Sequence, residues 1–78
     1  MSAMEQLLSF CVALDRRRAR YEVLMARPEA VMVALAVPGE RWEIEFFTDG
    51  RIEVERFVSQ GVEERPTATE DALRFFDE

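Results

Sequence analysis

The apolar residues of this chain change period twice, and that change restricts its fold more than any other feature. From Ser2 to about Arg18, Met4, Leu7, Leu8, Cys11 and Leu14 recur at helical spacing, and Phe10 and Val12 widen the stripe. From Tyr21 to Phe57 the period changes to two, that of a strand with one buried face, most plainly in the alternation of Trp42–Phe46 and Ile52–Glu55. Three turn signals divide this stretch: Arg27-Pro28-Glu29, Pro38-Gly39 and Thr48-Asp49-Gly50. Proline presets its own φ and lacks an amide donor, while glycine accepts positive φ. The strands expected are therefore 20–26, 31–37, 41–47 and 51–58.

The turns fix the register, because a one-residue slip would turn a whole strand over. A two-residue Pro38-Gly39 turn sets Leu35 opposite Trp42, Val33 opposite Ile44 and Val31 opposite Phe46, all apolar pairs. An Asp-Gly turn in the next hairpin would set Phe46 against Glu53 and mix the faces. A three-residue loop, Thr48-Asp49-Gly50, instead pairs Phe46 with Ile52 and Ile44 with Val54, and its last glycine suits a G1 bulge. Tyr21, Val23 and Met25 join the same face by parity.

Near the end of the chain, Thr67-Ala68-Thr69-Glu70 has the spacing of a capping box. Ala72, Leu73, Phe75 and Phe76 supply the stripe of a short helix over about 68–77, too short to persist unless docked. The whole reads α-β-β-β-β-α. This is an α+β fold: a four-stranded antiparallel meander with an N-terminal and a short C-terminal helix packed on one face, as a single domain over residues 1–78.

Seventy-eight residues, 49% of them hydrophobic, suffice for one core without metal or disulfide. The lone Cys11 excludes an internal disulfide and, lying on the apolar stripe, reads as a small hydrophobe. Histidine is absent, so the usual neutral-pH base and the commonest metal ligand are missing. There is no glycine-rich phosphate loop and no base to activate a hydroxyl, so neither an enzyme nor a cofactor is expected. A net charge of -6 argues against nucleic-acid binding, and no apolar run is long enough to span a bilayer. A soluble, cytoplasmic protein is expected.

The informative surface is the far side of the sheet. There the register sets Glu43 opposite Glu55 and Glu45 opposite Glu53, with Arg41, Arg51 and Arg56 near the ends of the face. Like charges facing across a strand pair cost about 0.2–1 kcal/mol each. The neighbouring strand presents Met32 and Ala34, and Phe47 and Phe57 add apolar area. An apolar strip with charged surroundings is a pattern of protein-binding surfaces. The function expected is a small protein–protein interaction module, antitoxin- or immunity-like. It would bind a protein partner or a second copy of itself through Met32, Ala34, Glu43, Glu45, Phe47, Glu53, Glu55 and Phe57. The alternative is a divalent-cation binder using the four glutamates as oxygen ligands.

The stretch VPGERWEIEFFTDGRIEVERF, followed by Ser59-Gln60-Gly61, resembles a group of small bacterial proteins with a hairpin-rich core. The resemblance spans about residues 21–61 and implies no activity and no site residue. The order helix, meander, helix is also similar to frataxin, as a fold analogy alone. Frataxin's acidic residues lie mainly on its first helix, whereas the first helix here ends in Arg16, Arg17 and Arg18.

Overall fold

Helix α1 spans Ala3–Arg16 and is closed at both ends by its own sequence. Ser2 and Glu5 form a capping box: Ser2 Oγ accepts the Glu5 amide at 3.1 Å, and Glu5 Oε1 accepts the Ser2 amide at 3.2 Å. This signal, Ser-x-x-Glu, stands in the sequence beside the one read at Thr67. At the other end Arg18 adopts φ 55, and the Arg18 and Ala19 amides donate to the Asp15 and Leu14 carbonyls, both at 3.0 Å. That is a Schellman closure with arginine where glycine is usual.

The structure is a computed structural model that describes residues 2–58 and 62–77. Ser59, Gln60 and Gly61 lie outside the described residues. The strands are β1 (Tyr21–Arg27), β2 (Ala30–Val37), β3 (Glu40–Phe47), β4 (Ile52–Arg56) and β5 (Val62–Glu64), followed by α2 (Ala68–Asp77). They form one antiparallel sheet in the order β1-β2-β3-β4-β5. The helix–meander–helix order is as expected, with β5 as an addition on the edge of β4. It is three residues long and follows no alternation that marks it in advance.

Both central registers agree with the expected pairs. Val31, Val33 and Leu35 face Phe46, Ile44 and Trp42, and Phe46 and Ile44 face Ile52 and Val54. Gly39 (φ 77) and Gly50 (φ 93) take the positive φ that their turns require. In the second loop the Phe47 amide donates to the Arg51 carbonyl at 2.9 Å, and the Gly50 amide to the Phe47 carbonyl at 2.9 Å. β1 is less regular: its pairing with β2 shifts between Leu24 and Arg27, where a bulge lies.

The core fills the space between the sheet and the two helices, around Phe10, Leu14, Leu35, Trp42, Ile44 and Val54. Phe10 packs on Phe46 with ring centroids 5.9 Å apart, and Trp42 meets Phe75 edge-on at 5.3 Å. The Thr67–Glu70 capping box is not what opens α2. Thr67 Oγ1 instead donates to Asp71 at 3.2 Å, and Asp71 also accepts from Arg65 at 3.1 Å. Arg65 brings a charge to the first turn, so Asp71 is drawn toward it and becomes the partner of the threonine.

α1 lies over β3, α2 lies over β3 and β4, and the helices touch each other. Two packed helices stand ~8–10 Å apart, about two strand spacings. A five-stranded sheet is wider than that, and on β1 Val23 and Met25 are left exposed.

Candidate functional site

Two surfaces are candidates, one on each side of the sheet. On the far side the register brings the glutamates together as expected, Glu43 opposite Glu55 and Glu45 opposite Glu53. Arginines then lie down across them. Arg27, from the bulged end of β1, donates Nη2–H to Glu45 Oε1 at 3.1 Å, and its Nε stands 3.0 Å from Glu45 Oε2. The second contact is an ion pair without hydrogen-bond alignment, so the buried Oε2 has no hydrogen bond directed at it. Arg51 pairs with Glu53 at 3.0 Å and with Asp49 at 2.9 Å, and Arg41 pairs with Glu43 at 3.4 Å. Among the described residues Glu55 has no ion pair.

The same arginines cover the aromatic rings. Phe47 lies beneath Arg51, at 4.3 Å from its ring centroid, and Arg27, at 5.5 Å; Arg41 sits 5.5 Å over Phe57. Of the eight residues expected to line this face, Ala34, Glu45 and Phe47 are buried. Met32, Glu43, Glu53 and Glu55 are half-buried, and Phe57 is exposed. Phe47 is only 2% exposed, so the open aromatic contact expected there is closed. Arg56 is not on this face; it stacks 4.7 Å over Trp42 on the helix side and shares Glu40 with the indole N–H. Arg27 takes its place. Among the described residues no three or more acidic side chains are grouped to hold a metal ion. The pairs project side by side from the sheet, and three of the four carboxylates already have a cation.

The helix side has an apolar flank that sequence reasoning did not single out. Met4, Leu8 and Val12 recur every four residues along α1 and are 69%, 57% and 47% exposed. On β1, Val23 and Met25 are 51% and 67% exposed on the face that points toward the helices. The two elements are joined at one end and share a groove at the other. Tyr21 Oη donates to Asp15 Oδ1 at 2.7 Å, which pushes the phenol up to about 12 because the hydrogen bond favours its neutral form. At the opposite end Met4 and Met25 line one groove of about 190 Å³, floored by Phe46, Val31 and Ala30. The signal was present in the sequence as the second half of the α1 stripe. Seven apolar residues besides alanine on a 14-residue helix are more than one buried face requires. Cys11 is half-buried on the inner side of the same helix, and burial pushes its thiol up, which disfavours the reactive thiolate.

Searches against protein-family models, curated proteins and solved structures returned no significant match. No helix among the described residues is long and apolar enough to cross a membrane.

Proposed function

We propose that this chain is a small, non-enzymatic protein-interaction module that docks through the apolar flank of α1 and β1. The observation that carries the reading is the exposure of Met4, Leu8, Val12, Val23 and Met25 on one side of the molecule. A large apolar side chain buried on docking is worth about 1.5–3 kcal/mol, and contiguous exposed apolar surface is what docking sites offer. The far face supports binding less well. There Phe47 is buried beneath Arg51 and Arg27, and three of the four glutamates already have partners, so a partner would have to displace ion pairs before forming its own. A binding role also accords with the chemistry at hand, which includes no histidine. The proposed setting is the bacterial cytoplasm, where a lone unpaired cysteine stays reduced.

Photocrosslinking inside the cell tests the reading. A benzophenone side chain at Leu8 is expected to give a discrete protein adduct, and the same probe at Arg51 on the far face is not. Adducts from position 51 with none from position 8 would move the docking surface to the carboxylate face.

A further inference from the structure

The flank carries one more feature, its distribution of charge along the edge of the sheet. α1 runs out and β1 runs back beside it, so the helix C-terminus and the strand start share one end, joined by the Tyr21–Asp15 hydrogen bond. That end carries Arg16, Arg18 and Arg20, all exposed and, among the described residues, without an ion pair; with Asp15, which accepts from Tyr21, and Glu22 beside them the end is still net basic. The other end, where Met4 and Met25 share a groove with Pro28, carries Glu5 and Glu29, also exposed. The middle is apolar. A surface that is basic at one end, apolar between and acidic at the other complements itself when turned end for end.

The backbone of β1 offers the same symmetry. The Ala36 amide donates to the Arg20 carbonyl at 3.5 Å, so Arg20 and, by antiparallel alternation, Glu22 and Leu24 turn their polar groups toward β2. Tyr21 and Val23 therefore turn their N–H and C=O groups outward from the sheet edge. Open edges are usually blunted by shortness, charge or proline. The opposite edge, β5, is three residues long with the sequence Val-Glu-Glu. β1 is seven residues long and carries neither proline nor charge from Val23 to Ala26; its one such device is the bulge after Leu24, which leaves Tyr21–Leu24 as a regular open edge.

The geometry points to a second copy of this chain as the occupant of the flank. This rests on the docking reading above and names its partner. Two β1 strands pair antiparallel about a two-fold axis near Val23, and the two five-stranded sheets continue as one. An axis normal to the sheet keeps both α1 helices on the same side, where Leu8 and Val12 of the two chains converge over Val23 and Met25. The basic end of each chain then meets the acidic end of the other, at two equivalent places. At a net charge of -6 per chain, association of copies is otherwise disfavoured, and the end-to-end match selects this orientation over a parallel one.

Sedimentation velocity on the full chain at about 100 µM, a concentration that populates even weak dimers, is expected to give the mass of two chains. Val23→Pro removes an outward amide without touching the β1–β2 ladder, so it is expected to give a folded monomer by circular dichroism. Two charge variants test the orientation: Arg16→Glu with Arg20→Glu, and Glu29→Arg, which leaves the Ser2–Glu5 cap intact. Each alone is expected to associate at least about tenfold more weakly, and mixing the two is expected to restore the dimer. A monomeric native chain, a Val23→Pro variant that remains dimeric, or folded charge variants that do not rescue each other would overturn the inference. The two readings fail separately. A monomer whose Leu8 probe still captures another protein removes the dimer and leaves the docking surface, whereas a monomer without an adduct at position 8 removes both.

Discussion

At the scale of single residues the most informative position is Arg18, which holds φ 55 to let the Ala19 amide reach the Leu14 carbonyl. An L-residue in this region gives up about 1–2 kcal/mol, and glycine offsets part of the gain through the entropy of its unfolded chain. Arg18→Gly is therefore expected to stabilise the fold by about 0.5–1 kcal/mol in urea unfolding. Tyr21 gives a second test, since it is the sole tyrosine and its phenol is pushed up to about 12 by Asp15. An acid whose folded pKa is raised stabilises the fold fully below the unfolded value of ~10, and loses that contribution as pH rises toward the folded one. Absorbance near 295 nm should show a single ionisation near the raised value, and Asp15→Asn should bring it back toward the ordinary tyrosine range. The Ser2–Glu5 cap was legible as Ser-x-x-Glu. The Asp15–Tyr21 bond was not, because it depends on how α1 crosses the end of β1.

At the scale of elements, the two central hairpins were legible because a half-buried strand has a period of two and its turn residues fix the parity. Trp42, Ile44, Phe46, Ile52 and Val54 all face the core as that parity requires. Arg27 escaped because it stands in a turn signal, Arg27-Pro28-Glu29, and only the bulge after Leu24 aims it at Glu45. The Arg27–Glu45 and Arg41–Glu43 pairs differ in burial, and so should their worth. Glu45 is 7% exposed, and removing its cation leaves a buried carboxylate unsatisfied, at a cost of about 1–3 kcal/mol. The Arg41–Glu43 pair is far more open and contributes about 0–1 kcal/mol. Arg27→Ala should accordingly destabilise the protein well beyond Arg41→Ala in parallel urea titrations. Adding Glu45→Met to Arg27→Ala should recover most of the loss, because the carboxylate that needed the cation is gone.

At the scale of the whole molecule, sequence patterning located the sheet face that meets the helices but not how much of that face they cover. Parity assigns Val23 and Met25 to the helix side, and coverage is decided by where α1 and α2 settle. They settle over β3 and β4, held together by the Arg17–Asp77 pair at 2.8 Å. β1 lies beyond them, and the second half of the α1 stripe is left in solvent. The carboxylate ladder was the more visible feature in the sequence, yet in the folded chain it is largely matched by arginines from its own surroundings. The apolar flank has no such match.

The most direct test of that contrast is nuclear magnetic resonance of the labelled chain across a dilution series. Amide and methyl shifts that move with concentration are expected to cluster at Leu8, Val12, Tyr21, Val23 and Met25, while Glu43, Glu45, Glu53 and Glu55 stay still. Movement confined to the glutamate ladder and Met32, with the α1–β1 flank unchanged at every concentration, would contradict it.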